Sequence, residues 1–211
     1  MAVAALMMTS AGAEELRGVQ VWLGQNVSVG LRPDWEFQMK SEERLSSEKQ
    51  LLRHVENHPR VVWNPEGPHE VFLGYKRIDS WSQQGDDSSE NLAVIGHEMT
   101  FPFAEHWKVG SRQMFEAGVA EEESTGQFRH RVRISYENSR ALWGFTVALG
   151  NEWFYDFDTN RLSQNRLQLG FSREINKTLR WEVFAMRRDD WLPGDVHLLT
   201  PITGVSCHLS F

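Results

Sequence analysis

Long apolar runs, cysteine and clustered positive charge are all scarce in this chain of 211 residues, and each scarcity excludes a class of protein. Because no run of about 18 consecutive apolar residues occurs, the sequence contains no transmembrane helix. The single cysteine, Cys207, excludes an internal disulfide. The net charge is −7 and the arginines are scattered, which argues against nucleic acid as a partner.

Short catalytic motifs are also missing. The sequence has no glycine-rich phosphate loop, no CxxC pair, no nucleophile elbow and no dinucleotide fingerprint, so an ordinary soluble enzyme is not indicated and no cofactor is expected. A charged fraction of 24% and a mean hydropathy of −0.48 would suit a soluble protein. They also suit a membrane β-barrel, since its strands turn only every second residue to lipid.

The first residues have part of the pattern of an export signal. An apolar stretch ends in Ala11-Gly12-Ala13, the small-x-small pattern that precedes a signal-peptidase cut. No lysine or arginine precedes Arg17, so the basic n-region is absent. We interpret residues 1–13 as the remnant of a signal peptide and 14–211 as an outer-membrane barrel domain. The alternative is a short disordered or helical N-terminus.

Beyond residue 18 the apolar residues recur with a period of two, and no stretch has convincing helical periodicity. This pattern predicts an all-β fold. The predicted strands cover residues 19–31, 35–44, 51–63, 70–82, 91–103, 107–119, 127–137, 143–156, 162–174, 179–190 and 197–211.

The connections between these strands alternate in kind. Tight turns such as Arg32-Pro33-Asp34 and Asn138-Ser139-Arg140 alternate with longer polar loops around 45–50, 83–90, 120–126, 157–161 and 191–196. This asymmetry is typical of an up-and-down antiparallel transmembrane β-barrel. We predict about ten to twelve strands. Single-chain bacterial barrels have an even number of strands, whereas eleven candidates are found here. Either the candidate at 19–31, which contains Gly24-Gln25-Asn26, is not a full strand, or a short strand near 14–18 is missed.

Aromatic residues mark the strand ends. Eight of the nine tryptophans lie beside the turns or loops, as expected where an indole ring is buried in lipid while its N–H stays in water. The last strand, 203–211, alternates strictly and ends on an aromatic residue, as bacterial outer-membrane barrels do. The predicted membrane-interface aromatics are Trp35, Trp63, Trp81, Trp107, Trp143, Trp153, Trp181, Trp191 and Phe211.

These features predict a location in the bacterial outer membrane of a Gram-negative cell. The expected partners are the lipid bilayer, lipopolysaccharide and, through the strand ending at Phe211, the barrel-assembly machinery. Acidic loops such as Asp156-Phe157-Asp158 could bridge lipopolysaccharide through divalent cations.

Charges of both signs occupy every second position on the opposite strand face. They cannot face lipid, where each would cost about 2–4 kcal/mol near the midplane. We therefore predict a charged, largely filled lumen in which Arg129, Arg131 and Arg133 face Glu152 and Asp156. Such a lumen can be plugged or can form a small selective pore. The predicted network contains Glu36, Lys40, Glu42, Arg129, Arg131, Arg133, Glu152, Asp156, Arg166, Arg180 and Glu182.

Three other hypotheses follow from the residues. His54, Glu56 and His58 lie on one strand face and form a weak candidate for a zinc site. Candidate residues for a lipid-modifying enzyme also exist, although no motif joins them: His97, Ser111, His130, Ser135 and His208. A soluble lipocalin-like binding barrel would show the same alternation, because a period of two does not say which face is inward.

Several strands resemble one family. The resemblance rests on Trp22-Leu23-Gly24, Trp35-Glu36-Phe37-Gln38-Met39-Lys40, Phe72-Leu73-Gly74-Tyr75-Lys76-Arg77, Arg129-His130-Arg131-Val132-Arg133, Glu152-Trp153-Phe154-Tyr155-Asp156 and His208-Leu209-Ser210-Phe211. Together they resemble the DUF2490 family of outer-membrane β-barrels without an assigned activity. The resemblance covers about residues 18–211 and implies the fold and the outer membrane, but no catalytic residues. The leading functional hypothesis is a small, porin-like channel or a structural barrel.

Overall fold

The computed structural model describes residues 15–16, 18–46, 53–82, 85, 87–118, 126–138, 142–192 and 196–211. The fold is all-β, as predicted, and residues 1–13, the predicted signal peptide, lie outside the described residues. The strands are β1 (Glu15–Leu16), β2 (Gln20–Arg32), β3 (Trp35–Ser46), β4 (Arg53–Trp63), β5 (His69–Trp81), β6 (Ser88–Ala104), β7 (Trp107–Gly118), β8 (Gly126–Glu137), β9 (Phe145–Asp156), β10 (Arg161–Glu174), β11 (Leu179–Leu192) and β12 (Val196–Ser210). Within the described part of the chain, no helix is long and apolar enough to cross a membrane.

The strands β2 to β12 form a closed barrel of eleven strands. Each pairs antiparallel with the next along the chain, and β12 closes the barrel by pairing with β2. The closing pair is parallel, from Ile202 opposite Gln20 to Ser210 opposite Ser28. With an odd number of up-and-down strands the first and last must run in the same direction, so a parallel seam is the only way to close the sheet.

The barrel keeps an odd number of strands, and two observations decide the alternatives that the sequence left open. All eleven predicted strands are present, including β2 through its Gly24-Gln25-Asn26 stretch. A short strand near 14–18 is present as well, because β1 pairs with Leu198 and Leu199 of β12. It meets the same edge of β12 as β2 does, so it prolongs the seam without adding a strand to the barrel circumference.

The two ends of the barrel differ less than the sequence predicted. At one end, here called the turn end, the connections cover residues 33–34, 64–68, 105–106, 138–144 and 175–178. At the other, the loop end, they cover 47–52, 82–87, 119–125, 157–160 and 193–195. The predicted tight turn at 138–140 lies largely outside the described residues. β9 begins only at Phe145, two residues later than predicted, and Trp143 precedes it with a φ of 51°.

Alternation along each strand separates a charged interior from an apolar exterior. On β5, Phe72 is 1% exposed and faces inward, whereas Leu73 is 64% exposed and faces outward. On β9, Glu152 is buried in the interior and Leu149 is exposed on the outside. The outer face thus carries most of the exposed large apolar side chains, along with polar pairs such as Asn151 and Asn165, and the inner face carries most of the buried charges.

The interior also contains apolar clusters that the sequence analysis did not identify. One lies along the wall formed by β4 to β7 and contains Val62, Phe72, Leu92, Val94 and Met114. Another lies at the seam and contains Trp22, Met186 and Ile202, with Phe184 packed against it. These clusters fill space between the charged side chains and stabilise the barrel from inside.

Two inward glycines make room for aromatic rings. A Cβ built on Gly96 would lie 2.2 Å from the ring of Phe72, and one on Gly204 would lie 2.2 Å from the ring of Phe184. In both cases the glycine is the direct cross-strand partner of the aromatic residue. The ring therefore lies over the neighbouring strand, and this packing is possible only because the glycine there has no side chain.

We expect Gly96→Ala to destabilise the barrel by about 1–3 kcal/mol, because the Phe72 ring is buried and must leave its position. Gly150→Ala is the matched control, since its Cβ would meet only the Val132 carbonyl oxygen at 3.8 Å. Denaturant unfolding followed by circular dichroism measures both. Equal stability of the two variants would contradict the packing described here.

Candidate functional site

Nearest the loop end, the lumen is crossed by a layer of buried ion pairs. Lys76 Nζ lies 2.6 Å from Glu116 Oε1, which also accepts a hydrogen bond from Arg129 at 2.8 Å. Arg44 pairs with both Glu42 and Glu56, at 2.6 Å and 3.0 Å. This ion-pair layer, as it is called below, contains Glu42, Arg44, Glu56, Lys76, Glu116, Arg129, Glu152 and Arg166. Its four carboxylates and four cations balance in charge.

Glu152 connects most of this layer. Its Oε1 accepts hydrogen bonds from Arg112 at 2.7 Å and from Arg129 at 3.1 Å. Its Oε2 lies 4.0 Å from Arg166. One carboxylate from β9 thus links guanidinium groups from β7, β8 and β10, and its own side chain is only 10% exposed.

Aromatic faces support the arginines of the layer. Arg44 lies over the ring of Trp22 at 4.3 Å, and Arg166 lies over the same ring at 5.1 Å. Arg129 and Arg166 also lie over Phe154, at 4.5 Å and 4.4 Å. These contacts provide cation–π attraction in addition to the ion pairs. Trp22, the ninth tryptophan, is therefore an interior residue.

Closer to the turn end lies a second group, here called the basic layer: Lys40, Arg60, Arg112, Arg131 and Arg133. Arg131 pairs with Glu98 at 3.3 Å and Arg133 with Glu182 at 3.4 Å. Arg60 pairs with Glu70 at 3.2 Å and donates two hydrogen bonds to Gln38. The group draws on two pairs of neighbouring strands, β3 with β4 and β7 with β8, which β5 and β6 separate.

Two cavities occupy the lumen. One of about 240 Å³ is bounded by the basic layer and by Glu152, Glu182, His58 and His208. The other, of about 300 Å³, lies towards the loop end beside Lys76, Glu90, Asp156 and Asp158. Both are bounded by Glu56, Arg129 and Arg166. The ion-pair layer therefore separates the two cavities.

The structure brings only some of the sequence-predicted pairs together. Arg129 contacts Glu152, but Arg131 and Arg133 contact Glu98 and Glu182 on other strands. Arg131 is the register partner of Glu152, yet its side chain extends towards β6 instead. Asp156 accepts a hydrogen bond from the backbone N–H of Thr159.

The remaining predicted lumen residues occupy separate positions. Glu36 accepts a hydrogen bond from Gln38 at 2.7 Å, and Arg180 donates one to Ser172 at 2.7 Å. Lys40 and Arg166 line the 240 Å³ cavity, as does Glu42. Several charged interior residues were missed by sequence reasoning: Arg60, Lys76, Glu98, Arg112 and Glu116. They lie on strands whose inward positions also hold Val62, Phe72, Val94 or Met114, and this mixture obscured the alternation of charge.

At the turn end the predicted aromatics contact one another. The rings of Trp35 and Trp63 stack at 6.4 Å, and Trp181 meets Phe145 edge to face at 5.7 Å. Trp107 packs against Tyr136 at 4.9 Å. Two further aromatics lie exposed at this end, Trp143 in the connection before β9 and Phe211 beside β2.

Towards the loop end the predicted aromatics have polar neighbours. Trp81 lies under the Arg53 guanidinium at 5.3 Å. Trp153 packs on His130 at 5.7 Å, and Trp191 stacks on His197 at 5.7 Å. Each contact joins an aromatic ring to a side chain that can stay hydrated.

The candidate zinc ligands have other partners. His54 Nδ1 lies 3.0 Å from Ser80 Oγ, and Glu56 is engaged by Arg44. His58 packs edge to face on Phe72. Among the described residues no group of three histidine, cysteine or acidic side chains is arranged to hold a metal ion.

One polar cluster lies on the outer face instead. Ser111 Oγ is 3.1 Å from His130 Nε2, and Gln113 donates a hydrogen bond to the same oxygen at 2.8 Å. The strands β7 and β8 supply it, between outward apolar residues such as Val109 and Phe128. The structure thus joins two of the serine and histidine residues that the sequence left unconnected.

Comparison with known families agrees with this architecture. A family model described as "Protein of unknown function (DUF2490)" matches residues 19–196. The chain belongs to the DUF2490 family. The match begins just before β2 and ends at the start of β12, so it includes ten of the eleven long strands in full. No curated protein matches the chain.

We expect Glu152→Gln to destabilise this DUF2490 barrel by about 3–5 kcal/mol, because three guanidinium groups lose their shared carboxylate inside the barrel. Glu137→Gln is the matched control. Glu137 pairs with Lys108 at 2.7 Å, but both side chains are at least 40% exposed. Its loss should cost less than about 1 kcal/mol. Urea unfolding measures both, and equal effects would show that the ion-pair layer does not hold the barrel together.

Proposed function

We propose that this protein is a β-barrel of the bacterial outer membrane that forms a small channel through its charged lumen. The observation that carries the proposal is the polarity of the two faces. Large apolar side chains are exposed around the outside, among them Leu73, Ile95, Leu149 and Val205, at 47–64% exposure. Charged side chains of both signs are enclosed inside.

This polarity is the reverse of that in a soluble lipocalin-like barrel, which needs an apolar interior for its ligand and a polar exterior for water. An exterior with this many large apolar side chains exposed is unfavourable in water. The outward polar side chains pair with one another, as Ser41 does with Asn57 and Asn151 with Asn165. In lipid such an exterior is favourable, and a closed barrel leaves no backbone hydrogen bonds unpaired at a sheet edge. The aromatic contacts at both barrel ends support the same environment, because such residues concentrate where membrane and water meet.

The interior supports a narrow passage. Two cavities of about 240 and 300 Å³ lie in the described lumen, and side chains of the ion-pair layer line both of them. Side chains rather than a folded plug segment fill the described lumen. A passage between the cavities would run past Arg129 and Arg166, which line both. The predicted contacts with lipopolysaccharide and the assembly machinery remain predictions.

Location and activity can be tested on the full chain. We expect the protein in the outer-membrane fraction of its host, with different gel mobility before and after boiling, and small conductance steps in planar bilayers. A soluble periplasmic protein without a mobility shift would contradict the location. A membrane-inserted barrel without conductance would contradict the channel and leave a structural barrel.

We expect Leu149→Arg to destabilise the barrel in lipid vesicles by about 2–4 kcal/mol, because this outward leucine lies between the two aromatic ends. If the outer face were in water, an arginine at a residue that is 50% exposed would have almost no effect. Glu105→Arg, at a turn residue whose side chain is 89% exposed, is the control. Denaturant unfolding in vesicles distinguishes the two cases.

A second candidate function, a lipid-modifying enzyme, is favoured by the outer-face pair of Ser111 and His130. The imidazole is close enough to act as a base for the serine hydroxyl, and both face the same surface as the apolar side chains. If the pair is catalytic, the reconstituted protein releases fatty acid from phospholipid vesicles and Ser111→Ala abolishes the release. Ser135→Ala, on the inner face, should not. No release by the native barrel would end this hypothesis.

A further inference from the structure

The cavity of about 240 Å³ has an excess of positive charge in a protein that is acidic overall. Seven basic side chains line it, against four carboxylates, while the whole chain carries a net charge of −7. The basic residues are Lys40, Arg60, Arg112, Arg129, Arg131, Arg133 and Arg166, and the acidic ones are Glu42, Glu56, Glu152 and Glu182. Arg60, Arg129 and Arg131 also pair with carboxylates outside the lining, but Lys40 does not.

Lys40 is at the centre of this excess. No carboxylate of the described chain lies within 4.0 Å of its ammonium group. Its charge is close enough to interact with Arg60, Arg112 and Arg131, and the one carboxylate among its main electrostatic neighbours is Glu98. Glu98 is already bonded to Arg131, at 3.3 Å and 3.4 Å. Arg60 and Arg112 have carboxylates of their own, Glu70 and Glu152, whereas Lys40 is left with a carboxylate that is already paired.

Unpaired polar atoms border the same cavity. Arg129 Nε and His58 Nε2 are buried and have no hydrogen-bond partner among the described residues. An arginine N–H can only donate, and a histidine nitrogen can donate when protonated. Buried groups of this kind usually have a partner. Both residues belong to the cavity lining. An acceptor of negative charge in the cavity would satisfy Arg129 Nε, whereas His58 Nε2 lies over Gly74 on β5.

We propose that this cavity binds a small oxyanion of the phosphate type and that the lumen consequently selects anions over cations. The inference rests on the proposed barrel and adds the class of solute. Guanidinium groups match the tetrahedral oxygens of phosphate with paired hydrogen bonds, and Lys40 supplies a point charge. Rings of arginine and lysine are a known basis of anion and phosphate selectivity in pores. The volume admits phosphate with accompanying water.

Binding is tested first, without any need for conduction. Isothermal titration of the full chain, folded in detergent, with inorganic phosphate should show binding at one site. Lys40→Gln should weaken the affinity by about tenfold or more, because it removes a charged partner of the anion. Lys40→Arg should restore most of it. The substitution leaves no carboxylate unpaired, so the variant should fold.

Arg77→Gln is the matched control, since Arg77 lies on the outward face of β5, 54% exposed and paired with Asp79. It should bind phosphate as the native chain does. If the native chain does not bind phosphate, or if Lys40→Gln and Arg77→Gln change the affinity equally, the proposed site is overturned.

Selectivity is tested by the reversal potential in planar bilayers with a potassium chloride gradient. We expect chloride to be more permeant than potassium, and phosphate to reduce the chloride current in the native chain but not in Lys40→Gln. Conductance with cation preference would overturn the anion selectivity and leave the channel intact. Phosphate binding without conductance would do the reverse, supporting the site while contradicting the channel.

Discussion

The pairing of charges inside a closed sheet is the constraint on which the rest of this structure depends. Because successive residues of a strand point to opposite faces, strands with an apolar outer row place a charged row in the lumen. There the charges are shielded from bulk water and need partners. Glu152 meets this need for Arg112, Arg129 and Arg166 at once, because β7, β8 and β10 all lie within two positions of β9 in the sheet.

Closure also explains the unusual seam. Eleven up-and-down strands leave β2 and β12 parallel, and parallel pairs are slightly less stable per residue than antiparallel ones. Contacts inside the barrel and at both ends of the seam offset this lower stability. Trp22, Met186 and Ile202 pack inside the seam. The backbone of Phe211 bonds to Ser28 and Gly30 at the turn end, while β1 extends the pairing along β12 at the loop end. The seam is thus reinforced along its whole length.

The sequence predicted the eleven long strands and both barrel faces, because a period of two is a local property. It could not predict which carboxylate each arginine meets. Arg131 is the register partner of Glu152 but bonds to Glu98, because its side chain extends past β7 to β6. The interior apolar clusters were missed because they also depend on contacts between strands, which a local period of two does not specify. Phe72 looks like an interruption of a charged row until Gly96 is placed opposite it.

The central claim is that the apolar face meets lipid and the charged face encloses the lumen. Nitroxide labels placed singly from Phe145 to Gly150 of β9, in a Cys207→Ser background and in lipid vesicles, test it most directly. The account predicts that labels at 145, 147 and 149 collide with oxygen dissolved in lipid, and that those at 146, 148 and 150 do not. Collision of the odd-numbered labels with a water-soluble relaxant instead would contradict it.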